Sequence, residues 1–133
     1  MARPKPVHGS SPSNIIVAAA RGIQRDALVS LLRAQPHLTL AAVADDAAAL
    51  HRLLQEELAR TSLVHPTAAV IDAGLRGALL PDLIRSLRQE FPAVRCIVLA
   101  DTANQCTICL AAGAQAALLK GCLGEHLLAA IGR

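Results

Sequence analysis

The side chains best suited to chemistry lie in the second half of this chain. Asp72 ends an apolar run, Ala68–Ile71, and Lys120 follows another, Ala116–Leu119. Asp101 stands directly after a third, Cys96–Ala100. A charge at the end of a strand is often only a turn starter or a solvated group, so these positions matter only if the fold unites them. Cys106-Thr-Ile-Cys109 is a C-x-x-C pair, and Cys122 lies downstream. Thiols near a helix N-terminus are acidified, and such a pair can serve as a redox switch or a metal clip. The competing explanation is packing, because Cys is a small apolar side chain and this chain is rich in them. His8, His37, His51, His65 and His126 are scattered, with no two placed as metal ligands, and His51 and His126 fit helix surfaces. There is no Ser/His/Asp order, phosphate-cradling Gly loop or paired-carboxylate site, and the Gly74–Gly77 spacing is too loose to use. Nothing points to an independent enzyme.

The elements that must position these residues follow from apolar spacing. Ile15–Ala19 is a buried strand, and Ile23, Ala27, Leu28, Leu31 and Leu32 recur at helical spacing until Gln35-Pro36. Leu38–Ala44 is the second strand, and Asp45-Asp46 can cap a helix carrying Ala49, Leu50, Leu53, Leu54 and Leu58. His65-Pro66 punctuates before the third strand, Ala68–Ile71. Pro81 suits the first turn of a helix that buries Leu83, Ile84 and Leu87 and ends at Phe91-Pro92. Cys96–Ala100 is the fourth strand, Thr102–Ala112 a helix closed by Gly113, Ala116–Leu119 the fifth strand, and Leu123–Ile131 the last helix. Five strand–helix units in strict alternation, with strands apolar on both faces, predict a five-stranded parallel sheet covered on each side. The expected class is α/β, a flavodoxin-like (βα)5 doubly wound domain over residues 14–133. Its ligands belong beyond the carboxyl ends of the strands. Ala19, Ala20, Asp72, Ala100, Asp101 and Lys120 are the residues expected there.

Composition narrows the classes. The chain has 133 residues, 53% hydrophobic, with one Phe and neither Tyr nor Trp. Aliphatic side chains must fill the core, and no aromatic platform exists for stacking bases. The formal charge of +3 includes Arg3 and Lys5 in a Pro/Ser-rich leader, residues 1–13, expected to be disordered. No basic stripe tracks phosphates, the start lacks the apolar stretch of a secretory signal, and no apolar run reaches membrane-spanning length. A cytoplasmic protein with reduced thiols is expected.

Three stretches carry a resemblance. PTAAVIDAGLRGALLPDLIRSLRQEFP, Pro66 to Pro92, is similar to the phosphoacceptor segment of response-regulator receiver domains, especially those joined to helix-turn-helix output domains. AGAQAALLKG, Ala112 to Gly121, resembles the family's Gly-Ala turn, fifth strand and closing lysine. IIVAAARGIQRDALVSLL, Ile15 to Leu32, matches its first strand and helix in length and apolar pattern. No single motif is specific; the register of five units together is what carries the likeness, from Ile15 to Ile131. The resemblance puts Asp72 on the phosphoacceptor and Lys120 on the active-site lysine. The family's chemistry needs that pair, a carboxylate to attack phosphorus and an ammonium to stabilise the developing charge.

The departures are as informative. The family's two acidic residues after the first strand correspond to Ala19 and Ala20, whose methyl groups offer Mg²⁺ no oxygen. The family's Ser/Thr after the fourth strand corresponds to Ala100, and the switch aromatic of its fifth strand to Ala117. The segment from Ala100 to Gly113 is shorter than usual by about two residues. Weak or absent Mg²⁺ binding and a degenerate, pseudo-receiver mode follow, with Asp72 and Lys120 forming a salt bridge in the simplest case. The expected partners are a signalling protein such as a histidine kinase or output domain, or a second copy of the chain. They would meet the fourth and fifth helices and the strand between them, with the last helix's stripe (Leu123, Leu127, Leu128, Ile131) facing either a partner or the core. Nucleic acid would be reached only through an output domain outside this chain. The alternatives are a conventional aspartyl-phosphate receiver using Asp72, and a thiol redox or metal sensor using Cys106, Cys109 and Cys122.

Overall fold

Short aliphatic runs bounded by charged or turn-forming residues become the strands of one sheet. The structure is a computed structural model and describes residues 14–60, 67–120 and 124–131. The elements alternate without exception: β1 (Asn14–Ala18), α1 (Ile23–Arg33), β2 (Thr39–Ala44), α2 (Ala47–Arg60), β3 (Thr67–Asp72), α3 (Leu80–Glu90), β4 (Arg95–Ala100), α4 (Ala103–Ala112), β5 (Ala116–Leu119) and α5 (Glu125–Ile131). The sheet order is β2-β1-β3-β4-β5, with every pair parallel. This is the expected five-stranded, flavodoxin-like fold, and its order reverses between β1 and β3, where such sheets open a crevice.

Side-chain alternation assigns the helices to the two faces. Ile16, Ala18, Ala69 and Ile71 pack with Leu50, Leu54, Leu83 and Leu87 of α2 and α3. Ile15, Val17, Ala68, Val70, Ile97 and Leu99 pack with Leu28 and Leu32 of α1 and Leu127 and Ile131 of α5. Val98 and Ala100 meet Cys109 and Ala112 of α4. Each fully buried Leu or Ile contributes about 1.5–3 kcal/mol relative to exposure. The lone Phe91 is buried at the end of α3, where its ring meets His51 of α2 edge-on at 5.3 Å. His51 Nε2 also contacts Glu90 Oε2 at 2.8 Å, and this hydrogen bond from His51 holds the Glu90 carboxyl below its usual range. His51 is therefore a strut between α2 and α3 rather than a plain surface residue.

Helix ends follow the expected punctuation. Asp46 Oδ1 accepts the Ala49 N–H at 2.8 Å and caps α2, Pro81 lies in the first turn of α3, and Gly113 at φ 120° closes α4. On three helices burial separates residues that spacing alone grouped together. Ile23 is 86% exposed, and Ala27 is exposed as well, so only Leu28 and Leu32 are the fully buried part of α1. Helical spacing places Ile23 on the right side of α1, but its turn overhangs the carboxyl edge of the sheet, where no layer covers it. On α2, Leu58 points to solvent while Glu57 is buried and bonded to Arg60 at 2.6 Å. On α5, Leu127 and Ile131 are consumed by the chain's own core, so that part of the stripe is closed to a partner. The leader, Cys122 and Leu123 lie outside the described residues.

Candidate functional site

The carboxyl ends of β3, β4 and β5 converge on Lys120. Its Nζ lies 3.1 Å from Asp72 Oδ1 and 2.7 Å from Asp101 Oδ1. The parallel register sets this up, with Asp72 opposite Leu99 and Ala100 opposite Leu119, so the residues next in sequence meet above the sheet. Asp72 is a largely buried carboxylate, with a side chain 15% exposed. Its Oδ2 accepts the Gly74 N–H at 2.7 Å, a local turn that aims the carboxylate at Lys120. A Cβ at residue 74 would lie 3.0 Å from that oxygen, so a larger residue there would press on the Asp72 carboxylate. Burial by itself would lower the Lys120 pKa. The hydrogen bonds that Lys120 donates to Asp101 and Asp72, with the charges of those carboxylates, outweigh it and hold the ammonium above its usual range.

Asp101 had a place at the crevice from the sequence but no role. Local geometry gives it one. Thr102 caps α4 by accepting the Gln105 N–H at 3.1 Å, and Gln105 Oε1 accepts the Asp101 N–H at 2.7 Å. This reciprocal arrangement, akin to a capping box, holds the Asp101 backbone beside Lys120. The Thr-x-x-Gln spacing was a legible signal for it.

Across the switch point the other wall is different. Ala19 is buried and Ala20 exposed, and neither supplies a side-chain oxygen. Arg25 donates to Asp45 and reaches the Ala19 carbonyl at 3.4 Å, while Arg21 lies 3.5 Å from the same Asp45. These walls enclose a cavity of ≈ 550 Å³ lined by Ala19, Ala20, Arg21, Arg25, Asp72 and Lys120 among others.

The residues present do not fit Mg²⁺. Asp72 is the one carboxylate among the lining residues, two guanidinium groups line the same cavity, and the alanines bring no side-chain ligand. Among the described residues no group of three or more His, Cys, Asp or Glu side chains could hold a metal ion. The cysteines form no second centre there. Cys106 and Cys109 fall on the second turn of α4, Cys109 is buried, and burial, reinforced by Cys106, pushes its thiol pKa up. Cys96 is buried in β4, and burial pushes its thiol up to about 11. A reactive thiol needs the opposite shift.

No protein-family model matches the chain, and no curated protein matches it. Solved structures do. The NarL signal receiver domain from Mycobacterium tuberculosis is similar at TM-score 0.77 and 20% identity, over 91% of this chain and 94% of that one. A DNA-binding response regulator of the LuxR family from Staphylococcus aureus is similar at TM-score 0.75 and 17% identity, over 90% and 95%. A chain of the CheX–CheY–BeF3⁻–Mg²⁺ complex from Borrelia burgdorferi is similar at TM-score 0.74 and 11% identity, over 91% and 87%. At these identities the likeness establishes the fold, which is that of receiver domains. No described helix is long and apolar enough to cross a membrane.

Proposed function

We propose that this chain is a receiver-like domain of two-component signalling that works through protein contacts rather than Mg²⁺-dependent phosphoryl transfer. The observation that carries it is the asymmetry of one crevice: Asp72 and Lys120 are joined at 3.1 Å, while Ala19 and Ala20 face them with no ligand for a metal. Asp72 and Lys120 occupy the positions of phosphoacceptor and stabilising cation in this reading. Without the metal that clamps the transferring oxygens, the pair is a neutralised ion pair. The partner is a signalling protein, a histidine kinase or an output domain, or a second copy of the chain, with nucleic acid reached only through an output domain. The exposed Ile108 and Leu110 on α4 and Leu119 on β5 supply apolar contact area on that side. The protein would act in the cytoplasm.

A second reading, a conventional aspartyl-phosphate receiver, is favoured by the Asp72–Lys120 contact itself. There an Asp72 oxygen would attack phosphorus, the donor's leaving group would depart with its electron pair, and Lys120 would neutralise the phosphoryl oxygens. Incubation with acetyl phosphate, with and without Mg²⁺, separates the two by intact mass. The expected outcome is no Mg²⁺-dependent adduct. A Mg²⁺-dependent gain of one phosphoryl group that disappears in Asp72→Ala would establish the second reading instead.

A further inference from the structure

We infer that the crevice between α1 and the ends of β1 and β3 binds a small amphipathic organic anion, a carboxylate carrying an apolar body. The cavity of ≈ 550 Å³ lies within the range of small-molecule sites, about 300–1,000 Å³. Its floor is aliphatic, with Ala19, Leu28 and Leu99 all buried. Its mouth is aliphatic too, formed by Ala20, Ala27 and Ile23, the last 86% exposed. An apolar pocket that keeps a bare isoleucine at its entrance is suited to the hydrocarbon part of a ligand. A Cβ at Gly22 would meet nothing within 4 Å, so the entrance is open beside Ile23.

Charge selects the other end of the ligand. The lining carries Arg21, Arg25 and Lys120 beside Asp72, and all three cations are already paired, the arginines with Asp45 and Lys120 with Asp72 and Asp101. A ligand carboxylate is the group that the least committed of these cations can take up. Arg21 is 80% exposed and held only by a 3.5 Å contact to Asp45, so it can turn to a ligand carboxylate at little cost. Arg25 is anchored by Asp45 and the Ala19 carbonyl, so Asp45 keeps a partner when Arg21 turns. The inference concerns the unmodified chain, whose crevice has this shape and charge whatever Asp72 can accept from a phosphodonor.

Hexanoate is the probe, with hexylamine and hexanol as controls of the same chain length, followed by ¹⁵N amide shifts at constant pH and ionic strength. Hexanoate is expected to shift the Ala20, Gly22 and Ile23 amides saturably, at least about tenfold more tightly than either control. Arg21→Ala, at an exposed site, is expected to weaken hexanoate by about tenfold, and Ala20→Phe to abolish its binding by filling the mouth. Arg52→Ala, on the exposed side of α2, is expected to leave the affinity unchanged. Absence of saturable shifts at those amides overturns the proposal. So does equal binding of hexylamine or hexanol, or full affinity in a folded Arg21→Ala or Ala20→Phe variant. Phosphorylation results leave all these outcomes untouched, so failure here and failure of the signalling role are separately readable.

Discussion

The two walls of the crevice rest on adjacent strands yet differ in almost everything chemical. The β3–β4–β5 wall is polar and cross-braced: Lys120 joins Asp72 and Asp101, Gly74 holds Asp72, and the α4 cap holds Asp101. The β1–α1 wall is aliphatic at its centre and cationic at its rim. Its backbone is nonetheless fully paired at the carboxyl end, with Ala18 opposite both Ala44 and Ile71, beyond a register shift between Ile15 and Ile16. The side chains of one wall can therefore differ entirely from those of the other without disturbing the strand pairing beneath them. Strand pairing depends on main-chain hydrogen bonds and buried methyl groups, and Ala satisfies both.

If side-chain oxygens are the whole difference between the walls, adding them to the β1 side should supply a metal site. Ala19→Asp/Ala20→Asp is expected to give measurable Mg²⁺ binding by calorimetry. Phosphoryl transfer from acetyl phosphate should then rise by about two orders of magnitude or more. An unchanged rate with bound Mg²⁺ would move the defect to Ala100 or to the α4 segment.

Lys120→Met breaks the braced wall. It leaves Asp72 and Asp101 as neighbouring carboxylates with no cation between them, and is expected to cost about 1–3 kcal/mol by urea denaturation. The pH dependence has a definite sign. The folded-state pKa of Lys120 lies above its ordinary value of 10.5, so the folded state holds the proton more tightly than the unfolded one. Its stabilisation is full below 10.5 and is lost as pH rises through the folded value. Above pH 10.5 the wild type should therefore lose stability more steeply than Lys120→Met. The buried Cys96 thiol, pushed up to about 11, also destabilises the fold in alkali but does so equally in both proteins. Parallel curves would mean that the pair contributes nothing.

The smallest effect belongs to Asp101→Asn. Its side chain is 53% exposed, so solvent screening limits the expected loss to below about 1 kcal/mol. A loss as large as that of Lys120→Met would make Asp101, and not Asp72, the principal partner of the ammonium.

Much of this was readable from residue order. Runs such as Ala68–Ile71 and Cys96–Ala100 announce strands buried on both faces. Asp46, Pro81 and Gly113 mark helix ends because caps and turns are local chemistry. Asp72 and Lys120 could be assigned to one crevice because a parallel sheet sends every strand end to the same side. Less legible were Ile23, Ala27 and Leu58, since helical spacing finds a face but not how far along the helix the neighbouring layer extends. The role of Arg25 was equally hidden. Its anchor, Asp45, is twenty residues away and meets it only across the loops after β1 and β2.

Alternation, apolar runs and punctuation thus determined the architecture, because each strand or helix expresses its own period. The same residues determined that Ala19 and Ala20 bring no carboxylate to the crevice. Tertiary structure alone decided that Lys120 is shared between Asp72 and Asp101, and that apolar residues of α1 remain open around a cavity flanked by arginines. Those facts depend on distances between side chains far apart in the chain, which packing sets and residue order does not.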